Sequence, residues 1–235
     1  MKRASPYRAH RERQRRRILD AAWKLFDARG IDRVTMAEIT ASSGVQPSTV
    51  YQYFSNKDEM VWVLLGELMQ ERTEQARQEL EDASNALARI TLLLESLADE
   101  LTNNLMKVRF MAQFDAMYAR EWPAERLIEL ESQIFPESFQ YFADLIGEGI
   151  ADGSLRSDLN PELTMHAVMN AVIGAQRRLA SLGTKVEQEY GQPIDRMFRE
   201  TIRVILMGLR APETPRRRSI GKQKTGAGRA RKRML

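Results

Sequence analysis

Apolar residues recur with helical spacing along almost the whole chain, and no stretch alternates with the period of a strand. From about Arg13, the residues Ile18, Ala22, Leu25 and Phe26 fall at i, i+4, i+7 and i+8, one stripe of an amphipathic helix that Gly30 ends as a left-handed cap. Thr35 and Glu38 have capping-box spacing and predict a short helix to about Ser43 that buries Met36, Ile39 and Thr40. Gly44 then turns the chain. Pro47 suits the first position of a second short helix, to about Phe54, because its missing N–H is not needed there. Ser55-Asn56-Lys57-Asp58 reads as a fresh N-terminus. Met60, Leu64 and Leu68, flanked by Val61, Leu65 and Met69, extend that helix to about Leu80. Further helices are predicted at about 84–104, 105–119, 124–151, 161–182 and 187–209, bounded by Pro123, Gly153, Asn160-Pro161 and Gly183.

The fold class is therefore all-α. Three helices lie within residues 13–54, the last two short and joined by a glycine turn, which is a helix-turn-helix layout. The predicted organisation is a disordered basic arm over 1–12 and a helix-turn-helix DNA-binding domain over 13–58. A helical regulatory and dimerisation domain over 59–211 and a disordered basic tail over 212–235 follow.

Composition narrows the function. The 235 residues are 43% hydrophobic, enough to bury a core, and contain no cysteine, which excludes disulfides and thiolate metal sites. Two histidines, no glycine-rich phosphate loop and no nucleophile–base constellation argue against an enzyme, and no cofactor or metal site is expected. No signal peptide and no apolar stretch of roughly 18 residues occur, so a cytoplasmic protein without a membrane span is expected. The net charge of +4 is unevenly spread. Residues 1–17 hold eight Lys/Arg and one acidic residue, residues 210–235 hold ten and one, and the body between holds 18 basic and 30 acidic. Basic ends on an acidic body suggest a polyanion met by the ends, although the C-terminal run taken alone reads equally well as a solubilising tail.

In a helix-turn-helix the second helix reads bases from its N-terminal end in the major groove. Here that end carries Gln46, Pro47, Ser48, Thr49 and, one turn on, Gln52. Gln can pair with adenine, and hydroxyls meet base edges or phosphates. Val45, Val50 and Phe54 supply the inward face. Tyr51 and Tyr53, two apart, cannot both be buried there, so at least one phenol faces outward, where it can donate to a phosphate. Lys57 adds a charge, and Thr35 can serve a phosphate while capping its helix. Arg11, Arg13, Arg15, Arg16 and Arg17 precede or open the first helix, and Arg16 and Arg17 are candidate backbone contacts.

Residues 15–65 resemble the N-terminal domain of the TetR family of bacterial transcriptional regulators. The pattern GV-x-x-x-T-V-Y-x-Y-F-x-x-K-D carries the likeness, at Gly44, Val45, Thr49, Val50, Tyr51, Tyr53, Phe54, Lys57 and Asp58. It implies an all-helical homodimer that usually represses transcription and leaves its DNA when a small molecule binds the C-terminal domain. By that similarity Thr35, Tyr51, Tyr53 and Lys57 match phosphate contacts, and Gln46 to Thr49 with Gln52 match the reading end. The family often has Ser or Thr at the position of Gln46 and His at that of Gln52.

Residues 105–118 are apolar at almost every turn. In the family the corresponding helix lines the effector pocket. The candidate wall is Met106, Phe110, Phe114 and Tyr118, with Trp122, Phe139, Phe142, His166, Met169 and Asn170 from neighbouring helices. Such a wall fits an apolar or aromatic effector, and each of these residues fits ordinary core packing as well. For the homodimer interface the stripes Val168, Val172, Ala175 and Leu179, then Ile194, Phe198, Ile202 and Ile205, are expected to close a four-helix contact, with Ala171 and Gly174 allowing close approach. The reading is a dimeric regulator on a palindromic double-stranded DNA operator, released by a small-molecule effector. The alternative is a protein of this fold without an inducer, acting in chromosome organisation or replication and division control.

Overall fold

The structure, a computed structural model, describes residues 6–79, 83–134 and 138–212. The chain outside these spans includes the expected tail beyond 212.

Four helices open the chain: α1 (Pro6–Arg29), α2 (Met36–Ser43), α3 (Pro47–Tyr53) and α4 (Lys57–Glu79). Residues 6–12, expected in an irregular arm, are helical. Pro6 stands at the start of α1, and the arginine-rich run behind it consists of good helix formers. Two of those arginines also find aromatic partners, Arg11 over the ring of Tyr53 at 5.5 Å and Arg15 over that of Phe54 at 5.6 Å. Gly30 closes α1 with φ 86° and Gly44 closes α2 with φ 60°, the left-handed conformation that favours glycine.

The second half contains α5 (Ala86–Asn103), α6 (Leu105–Tyr118), α7 (Ala124–Ile134), α8 (Ser138–Ala151), α9 (Pro161–Leu182), α10 (Thr184–Tyr190) and α11 (Ile194–Leu209). Within the expected 124–151 segment the structure describes α7 and α8, and residues 135–137 between them lie outside the described residues. The 187–209 segment becomes α10 and α11, because Gly191 takes φ 64° and Pro193 precedes the new start. Asn160 caps α9 as expected, its side-chain oxygen accepting from the Leu163 amide at 2.9 Å.

Two apolar cores result among the described residues. The larger joins α5, α8, α9 and α11 around Leu97, Leu145, Val172 and Phe198. The other joins α1 to α4 around Phe26, Ile39, Val50 and Met60, and it includes Phe110 and Phe114 from α6. Helix α6 thus buries Val108 in one core and two phenylalanines in the other. Each buried ring contributes roughly 1.5–3 kcal/mol, so α6 is a structural joint between the two halves.

Candidate nucleic-acid interface and its regulatory connection

The turn between α2 and α3 is built by local rules. The Thr35 hydroxyl accepts from the Glu38 amide at 3.3 Å, and Glu38 accepts from the Thr35 amide at 2.8 Å, so the expected capping box is formed. The same carboxylate takes the Thr35 hydroxyl hydrogen at 2.8 Å and a guanidinium bond from Arg29 at 2.7 Å. These bonds, the Thr35 backbone first and Arg29 next, lower the Glu38 pKa from 4.5 to about 2. A phosphate at Thr35 would have to displace that carboxylate from the hydroxyl.

Helix α3 sits on three buried anchors, Val45, Val50 and Phe54. Its other side is open: Gln46, Pro47, Ser48, Tyr51 and Gln52 are exposed, and Thr49 is half-buried. Gln46 stands at the N-cap position without a side-chain cap bond, as a long amide at that site should. Its carbonyl accepts from the Thr49 and Val50 amides at 2.9 and 3.0 Å. The two tyrosines divide as their spacing requires. Tyr51 is 54% exposed, whereas Tyr53 is half-buried between α3 and α1, its hydroxyl donating to Gln14 Oε1 at 3.4 Å.

Three charged candidates have partners within the protein. The Lys57 ammonium donates to the carbonyls of Ile31, Val34 and Asp32 at 2.7, 3.0 and 3.4 Å, closing the loop between α1 and α2. Arg17 donates to the Ser43 carbonyl at 3.0 Å and caps the end of α2. Arg16 pairs with Asp20 at 2.8 Å and Glu67 at 3.0 Å, fastening α1 to α4. Acceptors inside the protein take these cations, a long-range pairing that one-dimensional spacing does not reveal.

The expected effector wall is dispersed. Phe110 packs against Trp23 and Phe26, and Phe114 against Trp62 and Tyr118, so both belong to the joint beneath the DNA-binding helices. Met106, His166 and Asn170 are exposed, and Trp122 only edges against Phe114. Phe142 and Met169 pack on the larger core. Phe139 has its side chain outside the described residues. The apolar stripe of α6 is real, but protein occupies it.

Around Trp62 the joint acquires polarity. The indole N–H donates to the Tyr118 hydroxyl at 2.8 Å, and that hydroxyl bonds to Asp58 in the first turn of α4. Arg126 of α7 reaches the same carboxylate at 3.0 Å. Helix α7 has no fully buried residue and rests on α4 through the half-buried Leu127 and Leu130 and this guanidinium.

A second polar cluster lies where α4, α5, α6 and α9 meet. Arg72 faces Glu100 at 4.0 Å, Arg177 pairs with Asp115, and the buried Gln176 amide donates to the Leu97 carbonyl at 2.7 Å. Burial pulls the Arg72 pKa down; Glu100 opposes that shift and Arg177 adds to it. Asp115 Oδ1 is buried with no hydrogen-bond partner among the described residues. Contributed by four helices, this cluster has no signature in the sequence beyond polar residues interrupting apolar stripes.

The expected dimer stripes face inward. Val172, Leu179, Phe198 and Ile202 are buried, and Val168, Ala175, Ile194 and Ile205 pack on the same core. A stripe identifies the covered face of a helix, and here the domain itself covers it. The outward face of α9 and α11 instead exposes Leu163, Ala167, Ala171 and Gly174 beside Val204 and Met207. A groove of about 510 Å³ runs between them, lined by Ala171, Met197, Thr201, Val204 and Ile205.

An exposed polar helix seated on a glycine-turned helix pair is the architecture of a helix-turn-helix DNA-binding regulator. Residues 18–62 match the family model for bacterial regulatory proteins of the tetR family. The transcriptional repressor KstR2 of Mycolicibacterium smegmatis is 24% identical over 179 residues, 76% of this chain and 85% of its own. The structure of the ketosteroid transcriptional regulator KstR2 of Mycobacterium tuberculosis superposes with a TM-score of 0.63 at 20% identity, covering 84% of this chain and 95% of that one. A putative transcriptional regulator from Saccharomonospora viridis, solved in complex with choline, superposes with a TM-score of 0.67 at 19% identity, over 86% and 100%. Residues 18–62 thus resemble the DNA-binding domain of that family, and the described chain shares its fold with these regulators. No helix among the described residues is long and apolar enough to cross a membrane.

Proposed function

We propose that the protein is a repressor that binds a palindromic operator as a homodimer and is released by a small molecule held in its helical half. The observation that carries this reading is the joint: α6 lies in the cores of both the reading helices and the regulatory helices, so a shift of α6 moves α4 and with it α3. Seven residues in α3 reach only a few base edges, which favours two half-sites and therefore two subunits. The outward face of α9 and α11, with Ala171 and Gly174 permitting close approach, is the surface for the partner.

Tyr51 and Tyr53 contact phosphate, Gln46, Ser48, Thr49 and Gln52 meet bases, and Lys57 orients the turn that presents them. For the effector, the cluster of Arg72, Asp115 and Arg177 supplies polar partners beside an apolar domain interior, so a largely apolar ligand with one polar end fits best. Ligand can shift the equilibrium only by its differential affinity for the released and bound forms.

The test is a gel shift and footprint on DNA upstream of the protein's own gene. A symmetric protected site, weakened at least tenfold by Gln52→Ala, is expected. Protection without symmetry, or binding indifferent to Gln52, overturns the reading.

A further inference from the structure

The first turns of α1 are helical, and that decides how they can meet a nucleic acid. A helix with its side chains is about 10–12 Å across, too wide for the roughly 6 Å minor groove that an irregular basic arm could enter. What such a helix can lie against is the outer face of a duplex, the sugar–phosphate backbone.

Packing on α3 places these turns for that contact. Arg11 stands over the Tyr53 ring at 5.5 Å, and one turn later Arg15 stands over Phe54 at 5.6 Å. This face of α1 therefore runs along the end of the reading helix. Between the two arginines, the Gln14 amide oxygen accepts from the Tyr53 hydroxyl at 3.4 Å. Bonds between oxygens ordinarily end near roughly 3.0 Å, so the hydroxyl can turn to a stronger acceptor. The Gln14 amide nitrogen has no hydrogen-bond partner among the described residues.

Charge follows the same division. Arg15 lies 3.8 Å from Glu67, Arg16 pairs with Asp20 and Glu67, Arg17 caps α2 and Lys57 closes a loop, so the cations nearest the core are engaged. Arg8 and Arg11 are exposed and have no ion pair among the described residues; Glu12, the one carboxylate of these turns, pairs with neither. The two arginines share a face, about 4.5 Å apart along the axis, and each DNA strand carries one phosphate per roughly 3.4 Å.

We propose that Arg8, Arg11 and the Gln14 amide of α1, with the Tyr53 hydroxyl of α3, form a cradle for one strand of the DNA backbone. The guanidiniums meet successive phosphates, and the amide and the phenol donate to the nearer of them. Holding the backbone beside the end of α3 fixes how that helix sits in the groove without reading a base. The inference rests on the reading of the chain as a DNA-binding protein, and not on its operator, partner subunit or effector.

The test measures binding of the full chain, across a range of salt, to the DNA upstream of its own gene and to a random-sequence duplex of equal length. Arg8→Ala combined with Arg11→Ala should weaken both duplexes about tenfold and lower the slope of log affinity against log salt by about 2. The melting temperature should stay nearly unchanged. Arg8→Lys with Arg11→Lys should restore the slope. Gln14→Ala should weaken both duplexes at an unchanged slope, because it removes no charge. Lys24→Ala, which removes an exposed cation from the other half of the same helix, should change neither duplex. An unchanged slope in the double variant, a loss confined to the upstream DNA, or an equal effect of Lys24→Ala overturns the cradle. The base reading is tested apart from it, since Gln52→Ala should spare the random duplex. A lowered slope beside an indifferent Gln52→Ala keeps the cradle and removes the base reading.

Discussion

The Arg126 guanidinium lies 3.9 Å from the centre of the Trp62 ring and also pairs with Asp58 at 3.0 Å. One side chain of α7 therefore touches the indole at the heart of the joint and the carboxylate that opens α4. Because α7 contributes no fully buried residue, this guanidinium is a principal fastening between α7 and the DNA-binding half.

Replacing Arg126 with Ala should loosen that fastening. A cation–π contact of this kind is worth about 1 kcal/mol, so urea denaturation should show a loss of that order. In a background carrying Trp23→Phe and Trp122→Phe, acrylamide should quench Trp62 more strongly in Arg126→Ala. Unchanged quenching would mean that α7 stays in place without the contact.

The proposed DNA contacts and the scaffold should separate by mutation. Gln52→Ala and Tyr51→Phe remove exposed groups and should weaken operator binding with the melting temperature unchanged. Lys57→Ala leaves three loop carbonyls without their ammonium and should lower both affinity and melting temperature. Calorimetry beside the gel shift distinguishes the two patterns.

Acid should reveal the capping box. With the Glu38 pKa lowered from 4.5 to about 2, its contribution is fully present above about pH 4.5 and is lost as pH falls through 2. Glu38→Gln should therefore reduce the melting temperature at neutral pH and flatten its decline between pH 5 and 2. A parallel decline in both proteins would remove Glu38 from the acid limb.

Oligomeric state tests the outward face of α9. A Cβ at Gly174 meets nothing within 4 Å in the subunit, so Gly174→Glu should fold normally and yet give a monomer by light scattering. Val172→Asp places a charge in the core and should unfold the domain. A dimeric Gly174→Glu protein would move the interface elsewhere.

The helix-turn-helix was legible because its determinants are local. Thr35 and Glu38 lie three residues apart, Pro47 opens a helix, and Gly44 is where the chain must turn left-handed; none of these depends on distant packing. For the pocket and dimer residues the spacing is less informative, for the opposite reason. The spacing of Val172 and Leu179, or of Phe110 and Phe114, correctly marks a covered face. It does not say whether the cover is a ligand, a second subunit or the neighbouring helix. The internal partners of Lys57 and Arg17 were not legible for a related reason, since they are backbone carbonyls more than twenty residues away. The polar cluster at Arg72 escaped entirely, being assembled from four helices.

The position of Phe110 and Phe114 beneath Trp23, Phe26 and Trp62 bears on how such regulators can be recombined. A chimaera spliced after Asp58, where the reading motif ends in sequence, would set these helices on a foreign floor. On the proposed reading, transplanting the base preference of α3 into another regulator requires carrying α6 along, or redesigning the recipient's surface to supply two phenylalanine-sized knobs. The unit of inheritance for DNA specificity is larger than the motif that announces it.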